Sequence, residues 1–213
     1  MVRGLKGGNK IMKYKRIILM GLLAISISLI KFTNVYAASG YQGYAVYRNG
    51  VWISGNNLLW HAAIMDDAYI GDSSVPIIHT PGSAGTMFGS WSGFLNGNTF
   101  QGVYAPLGGP SSEKRDLFRA TARNIAWRHI PYSLVYQVDY DLNSVGTYVD
   151  VNEITGMRCD GVVEYTYEWN NFNVYASDVS VADANIKNSH SGAAINPKSQ
   201  TSYLTKISSS EPY

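Results

Sequence analysis

The chain has 213 residues, 46% hydrophobic and 13% aromatic, enough for a packed core and too many for a disordered chain. Its net charge of +2 hides an asymmetry: residues 1–37 hold seven of the 17 basic residues and no acidic one, which leaves ten basic against 15 acidic residues afterwards, a net of −5. A domain that acidic repels phosphate, which argues against nucleic acid as a partner, and the single cysteine, Cys159, excludes an internal disulfide framework and a multi-cysteine zinc site.

Residues 1–37 read as an export signal. Lys13, Lys15 and Arg16 form a basic stretch, Ile17 to Ile30 is apolar apart from Gly21, Ser26 and Ser28, and Val35-Tyr36-Ala37 places small residues where a signal peptidase reads them. Cleavage is expected after Ala37. Met12 is an alternative start, with residues 1–11 an upstream extension. The competing reading is a membrane anchor, but the apolar run is shorter than the ~20 residues that a spanning helix needs. No later segment is long and apolar enough to span. The mature protein, residues 38–213, is expected to be one domain, secreted or associated with the cell wall, with no membrane span after cleavage.

The front half reads as strands. Residues 38–57 form a lead-in with a short hairpin around Asn49-Gly50. Leu58–Met65 (LLWHAAIM) is apolar except for His61 and reads as a buried strand. Val75–His79 is the next strand, stopped by Thr80-Pro81-Gly82. Asn96-Gly97-Asn98 is a turn signal between TMFGSWSGF and TFQGVYAP, so two further strands are expected to pair there.

After Gly108-Gly109-Pro110, Ser111 or Ser112 caps a helix running to about His129. Leu117, Phe118, Thr121, Ala122 and Ile125 give it an apolar face; Arg115, Arg119 and Arg123 line another. Residues 133–157 read as loop with strand fragments, and 171–213 as short strands, turns and a Ser-rich tail.

Residues 158–169 (RCDGVVEYTYEW) fit two periods. Val163, Tyr165, Tyr167 and Trp169 alternate with polar residues as in a strand, and propensity agrees. As a helix, Asp160, Glu164 and Glu168 make an acidic stripe that could meet the arginine stripe, and Cys159 sits in the first turn, where the helix dipole favours a thiolate. The helix is the reading adopted.

A cysteine hydrolase needs a thiol, a base and a group that orients the base. Cys159 is the one thiol. Strand alternation puts Leu59, His61 and Ala63 on one face, and a hairpin to the next strand brings His79 within reach of His61. His129 and His190 read as surface residues. A zinc site of His61, His79 and Cys159 is the competing chemistry.

The order of these pieces resembles a known family. His61 in WHAAIM, His79 in IIHTPG, a helix ending in Pro131-Tyr132 and a helix opening at Cys159 are similar to the NlpC/P60 superfamily of papain-like cysteine hydrolases. The closer likeness is to its circularly permuted branch, in which the histidine strands precede the cysteine helix. The resemblance runs from about Leu58 to Asn170. It implies an α+β, papain-like, circularly permuted fold, with an antiparallel sheet packed on the cysteine-bearing helix. It implies Cys159 as nucleophile, His61 as general base, His79 as the residue orienting it, and Tyr132 as an active-site tyrosine. The implied reaction is acyl transfer without metal or cofactor, on cell-wall peptides. The alternatives are a lipid or ester deacylase or acyltransferase, and a non-catalytic cell-wall binding module. Asp160 stands where the family usually has serine, and Ala62-Ala63 where Val-Gly is more familiar. Asp160 opposes ionisation of the thiol unless it pairs with Arg158 or faces solvent.

Overall fold

The computed structural model describes residues 40–53, 56–66, 76–141, 149–174 and 196–212. The expected export signal, residues 1–37, lies outside them. The described residues build an α+β fold on an antiparallel sheet. In chain order the strands are β1 (Ala45–Ile53), β2 (Asn56–Met65), β3 (Ile77–His79), β4 (Met87–Gly89), β5 (Phe100–Pro106), β6 (Val138–Tyr140), β7 (Ile154–Met157) and β8 (Leu204–Ser208). The helices are α1 (Trp91–Leu95), α2 (Ser112–Arg128), α3 (Cys159–Glu168) and α4 (Pro197–Gln200). The main sheet has the order β4-β3-β2-β1-β5-β8, while β6 and β7 pair separately.

The continuous apolar run in β2 follows from its place in the sheet. Ala62 and Ile64 enter a core with Phe118, Ala122, Val162 and Val163 of α2 and α3. Ala63 and Met65 enter a second core with Val46, Ile77 and Phe94. A strand buried on both faces has no polar face to alternate.

Two expectations fail in this half. Asn49-Gly50 does not turn the chain. Both residues lie inside β1, where the register with β2 shifts between Arg48 and Val51 and Gly50 takes φ 89°. Asn49 is tied sideways to Thr99, its N–H donating to the Thr99 carbonyl at 3.0 Å and its Oδ1 accepting the Thr99 N–H at 2.8 Å. The dipeptide therefore makes a bulge in a central strand. The expected strand pair across Asn96-Gly97-Asn98 is also absent. Ser90 accepts the Gly93 N–H and starts α1, and Asn96 ends it in the left-handed conformation. β4 pairs with β3, and β5 with β1.

The expected long helix forms as α2. Ser111 caps it by accepting the Lys114 N–H, and His129 closes it at φ 49°. Phe118, Ala122, Ile125 and Ala126 are its buried face, whereas Leu117, expected on that face, is 47% exposed. Thr86 holds its far end: the hydroxyl donates to the Ile125 carbonyl at 2.7 Å and accepts the Ile130 N–H at 2.8 Å.

The ambiguous stretch is helical over Cys159–Glu168, with Arg158 extended as its N-cap, and all ten residues of α3 are buried. A helix enclosed on every side has no solvent-facing side, so apolar and aromatic residues surround its acidic stripe and the sequence also fits a strand. Two of its three carboxylates are bonded inside the protein as follows. Glu168 Oε1 accepts the Val174 N–H at 3.1 Å, and Asp160 pairs with Arg158. Of the arginine stripe, Arg123 grips Asp66 with two bonds of 2.6 and 2.8 Å, and Arg119 pairs with Asp116 of its own helix. The described part of the tail packs on the domain: buried Gln200 of α4 accepts the Tyr47 hydroxyl and donates to the Asp160 carbonyl, and β8 closes the sheet edge.

The start of α3 is pressed against β6. A side chain at Gly161 would run into the Gln137 carbonyl oxygen, which already accepts the Arg158 N–H at 3.0 Å. Gly161→Ala is expected to cost about 3 kcal/mol, since backbone offers no room to yield. Urea denaturation checks this; an unchanged midpoint would mean α3 does not sit this close.

Candidate active site

β2 and β3 pair antiparallel with Ile64 opposite Ile78 and Met65 opposite Ile77. Continuing that register sets His79 opposite Ala63, on the face His61 shares and one diagonal step from it. The imidazoles meet there. His61 Nε2 and His79 Nδ1 lie 2.9 Å apart, and both rings pack on Phe94, at 5.6 and 6.0 Å between centroids. Gly89 of β4 makes the room: a Cβ there would lie 2.6 Å from His79 Nε2. The residues are 5% and 4% exposed. Burial holds His61 well below the ordinary imidazole value, with His79 and Arg48 adding to it. Burial and then Arg48 lower His79 to about 4. Both rings are therefore neutral at pH 7.

Cys159 is the first residue of α3 and is 6% exposed. Its sulfur is approached by the backbone N–H groups of Ala62, the residue after His61, and of Asp160. Both favour the thiolate, as does Arg158. Burial, joined by the Asp160 carboxylate, outweighs them and pushes the thiol up to about 12. The thiolate expected from the helix dipole is thus not the resting form, because the helix start is enclosed. Asp160 lies in the interior, where Arg158 binds it through Nε at 3.0 Å and Nη2 at 2.7 Å. Cys159 and His61 flank the His61–Ala62 peptide without a hydrogen bond between them among the described residues.

Tyr132 stands beside this site. Its strand-like bridge to Met157 straps the Pro131-Tyr132-Ser133 segment to the end of β7, two residues before Cys159. The Met157 N–H donates to the Pro131 carbonyl at 2.9 Å, and the Ser133 N–H to the Met157 carbonyl at 3.3 Å. Burial first, then Cys159 and Asp160, raise its phenol to about 12, so it stays a hydrogen-bond donor across the working range.

Sequence reasoning missed two neighbours. Arg48 of β1 pairs in register with His61, and its guanidinium carbon lies 5.9 Å from the Phe94 ring centroid. It was hidden by reading Asn49-Gly50 as a turn; the alternating AVYRNGVW pattern was the available signal. Gln137 is fully buried before β6, with neither side-chain amide atom bonded. No sequence signal marks it. Among the described residues, no group of three His, Cys, Asp or Glu side chains is arranged to hold a metal ion, and no helix is long and apolar enough to cross a membrane.

No protein-family profile, curated protein or solved structure matches the chain.

The lowered value of His79 has a stability consequence. As pH falls from 6.5, the unfolded chain takes up the proton before the folded one does. Stability is therefore full above about pH 6.5 and falls towards pH 4, by about 3 kcal/mol for His79 alone. His61 acts in the same direction. Urea unfolding of the wild type and His79→Gln across that window measures the difference. A variant as acid-sensitive as the wild type would show that His79 titrates normally.

Proposed function

We propose that the protein is a cysteine hydrolase that cleaves an acyl bond by way of Cys159, His61 and His79. The observation that carries this reading is the 2.9 Å bond between His61 Nε2 and His79 Nδ1, with the N–H of Ala62, the next residue of β2, approaching the Cys159 sulfur at the start of α3. That bond occupies one nitrogen of His61 and leaves Nδ1 with no hydrogen bond among the described residues. For His61 to act as a base at Nδ1, its Nε2–H donates to His79 Nδ1, so that His79 fixes both tautomer and ring plane.

With thiol and imidazole both neutral at rest, His61 works as a general base during attack. Cys159 Sγ bonds to the carbonyl carbon as its proton passes to His61 Nδ1. Oxyanion charge falls on N–H donors at the start of α3, where the first turn has donors without helical acceptors. His61 then protonates the leaving amine or alcohol. A water attacks the thioester with His61 as base, and the acid departs as the thiol re-forms.

The antiparallel sheet, the buried cysteine helix and the order of the parts support a papain-like, circularly permuted NlpC/P60-type fold as the framework. Cell-wall peptides are the substrate class this framework favours, and the sequence features of an exported protein fit it. One observation favours a second reading, binding without turnover: the thiol is enclosed and held protonated.

Digestion of muropeptides followed by mass spectrometry tests the reading. New amine termini are expected with the wild type and none with Cys159→Ala. His61→Ala is expected to lower kcat/KM by about 10²–10⁴-fold. The acid limb of kcat/KM is expected below the ordinary histidine value, because the His61 proton is lost more easily than from a free imidazole. No new termini at any point from about pH 4 to about pH 9, with the peptides still bound, would replace cleavage by binding.

A further inference from the structure

We infer that Arg48 is an anion anchor that selects acyl substrates carrying a carboxylate next to the scissile bond. The inference deepens the hydrolase reading and rests on it for the nature of the ligand. Arg48 lies opposite His61 in the β1–β2 register and shares the Phe94 platform with both histidines. Half-buried guanidinium groups normally meet a carboxylate. Arg48 has none among the described residues. Its Nη1 donates to the neighbouring Asn49 carbonyl at 2.9 Å, and its Nε is buried with no partner.

The free donors define the ligand. With Nη1 committed, the Nε–Nη2 edge remains. Its two N–H groups are parallel and coplanar, which matches the two oxygens of one carboxylate. A neutral carbonyl would fill one donor and leave the charge without a counter-ion. Electrostatics agrees with the geometry: burial lowers Arg48 below its ordinary value, and Cys159, when ionised, offsets this only in part. A carboxylate held there sits beside His61 and within the field of Cys159, so it belongs to the group being cleaved and not to a remote part of the molecule.

Alkylation of Cys159 by two reagents of the same shape tests this. Iodoacetate carries the carboxylate and iodoacetamide is its neutral counterpart. The iodoacetate-to-iodoacetamide rate ratio is expected to be about tenfold higher in the wild type than in Arg48→Gln. Arg48→Lys, which keeps the charge without the planar edge, is expected between them and guards against misfolding of the glutamine variant. If Cys159 reacts readily and the ratio is the same in all three proteins, the anchor is wrong and the hydrolase reading stands. An equal slowing of both reagents in Arg48→Gln also overturns the anchor, because Arg48 would then serve only the thiolate. If neither reagent labels Cys159, the hydrolase reading falls, and binding of N-acetylglycine, followed by ligand-observed NMR, decides the anchor. Binding by the wild type that is lost in Arg48→Gln supports it; no binding by the wild type overturns it.

Discussion

Enclosure of α3 sets the terms for everything around it. A helix buried on all sides must satisfy every polar group it carries from within the protein. Arg158 therefore folds back on Asp160, Gln200 reaches in from the tail to the Asp160 carbonyl, and the Gln137 carbonyl takes the Arg158 N–H. These contacts fix the first turn of the helix, and with it the cysteine. The same enclosure raises the thiol, because a thiolate there loses its water and gains Asp160 as a neighbour. Position and reactivity thus pull in opposite directions at Cys159.

The histidine pair is held by a separate device. β2 is buried on both faces, so a histidine within it needs a partner for its ring. The diagonal neighbour in β3 supplies one, and Gly89 clears the space behind. A second histidine is a neutral partner. In the proposed reaction it would orient the base without adding the negative charge that a carboxylate would bring, and so would do little to stabilise an imidazolium.

The sequence made the sheet's centre and the cysteine helix readable for different reasons. LLWHAAIM announces a strand enclosed on both faces, and the spacing to IIHTPG announces its neighbour, so the His61–His79 contact was legible. Ser111, the apolar stripe and Ile130-Pro131 likewise bound α2 within a residue. α3 was not legible from period: it has no solvent-facing side to mark it as a helix, and its aromatic and β-branched residues favour a strand. The chemistry of a cysteine at a helix start argued for it, together with the family resemblance. The failures have one cause. Asn49-Gly50 and Asn96-Gly97-Asn98 are turn signals by residue type, yet the first is stretched by its bonds to Thr99 and the second ends a short helix. Local turn chemistry names a place where the backbone can take positive φ; tertiary bonds decide whether the chain reverses there. Arg48 was lost with the first of these, because it stood next to a turn that does not exist.

As the proposed anchor, Arg48 would have a part beyond recognition. In the proposed reaction, proton transfer from Cys159 would place a positive charge on His61, which is buried and lies in the field of the Arg48 guanidinium. Every term acting on that imidazole opposes the proton: burial, His79 and Arg48. The resting site is therefore electrostatically closed to its own first step. A carboxylate on the Nε–Nη2 edge of Arg48 changes that balance. It would offset the guanidinium field at both histidines. The arriving substrate would then supply the one charge the site lacks. A neutral ligand of the same size would fill the pocket and leave the imidazole as unwilling to accept a proton as before. If Arg48 anchors the substrate in this way, selectivity would arise in the chemical step as much as in binding, since the bound anion would also be the one that makes His61 a competent base.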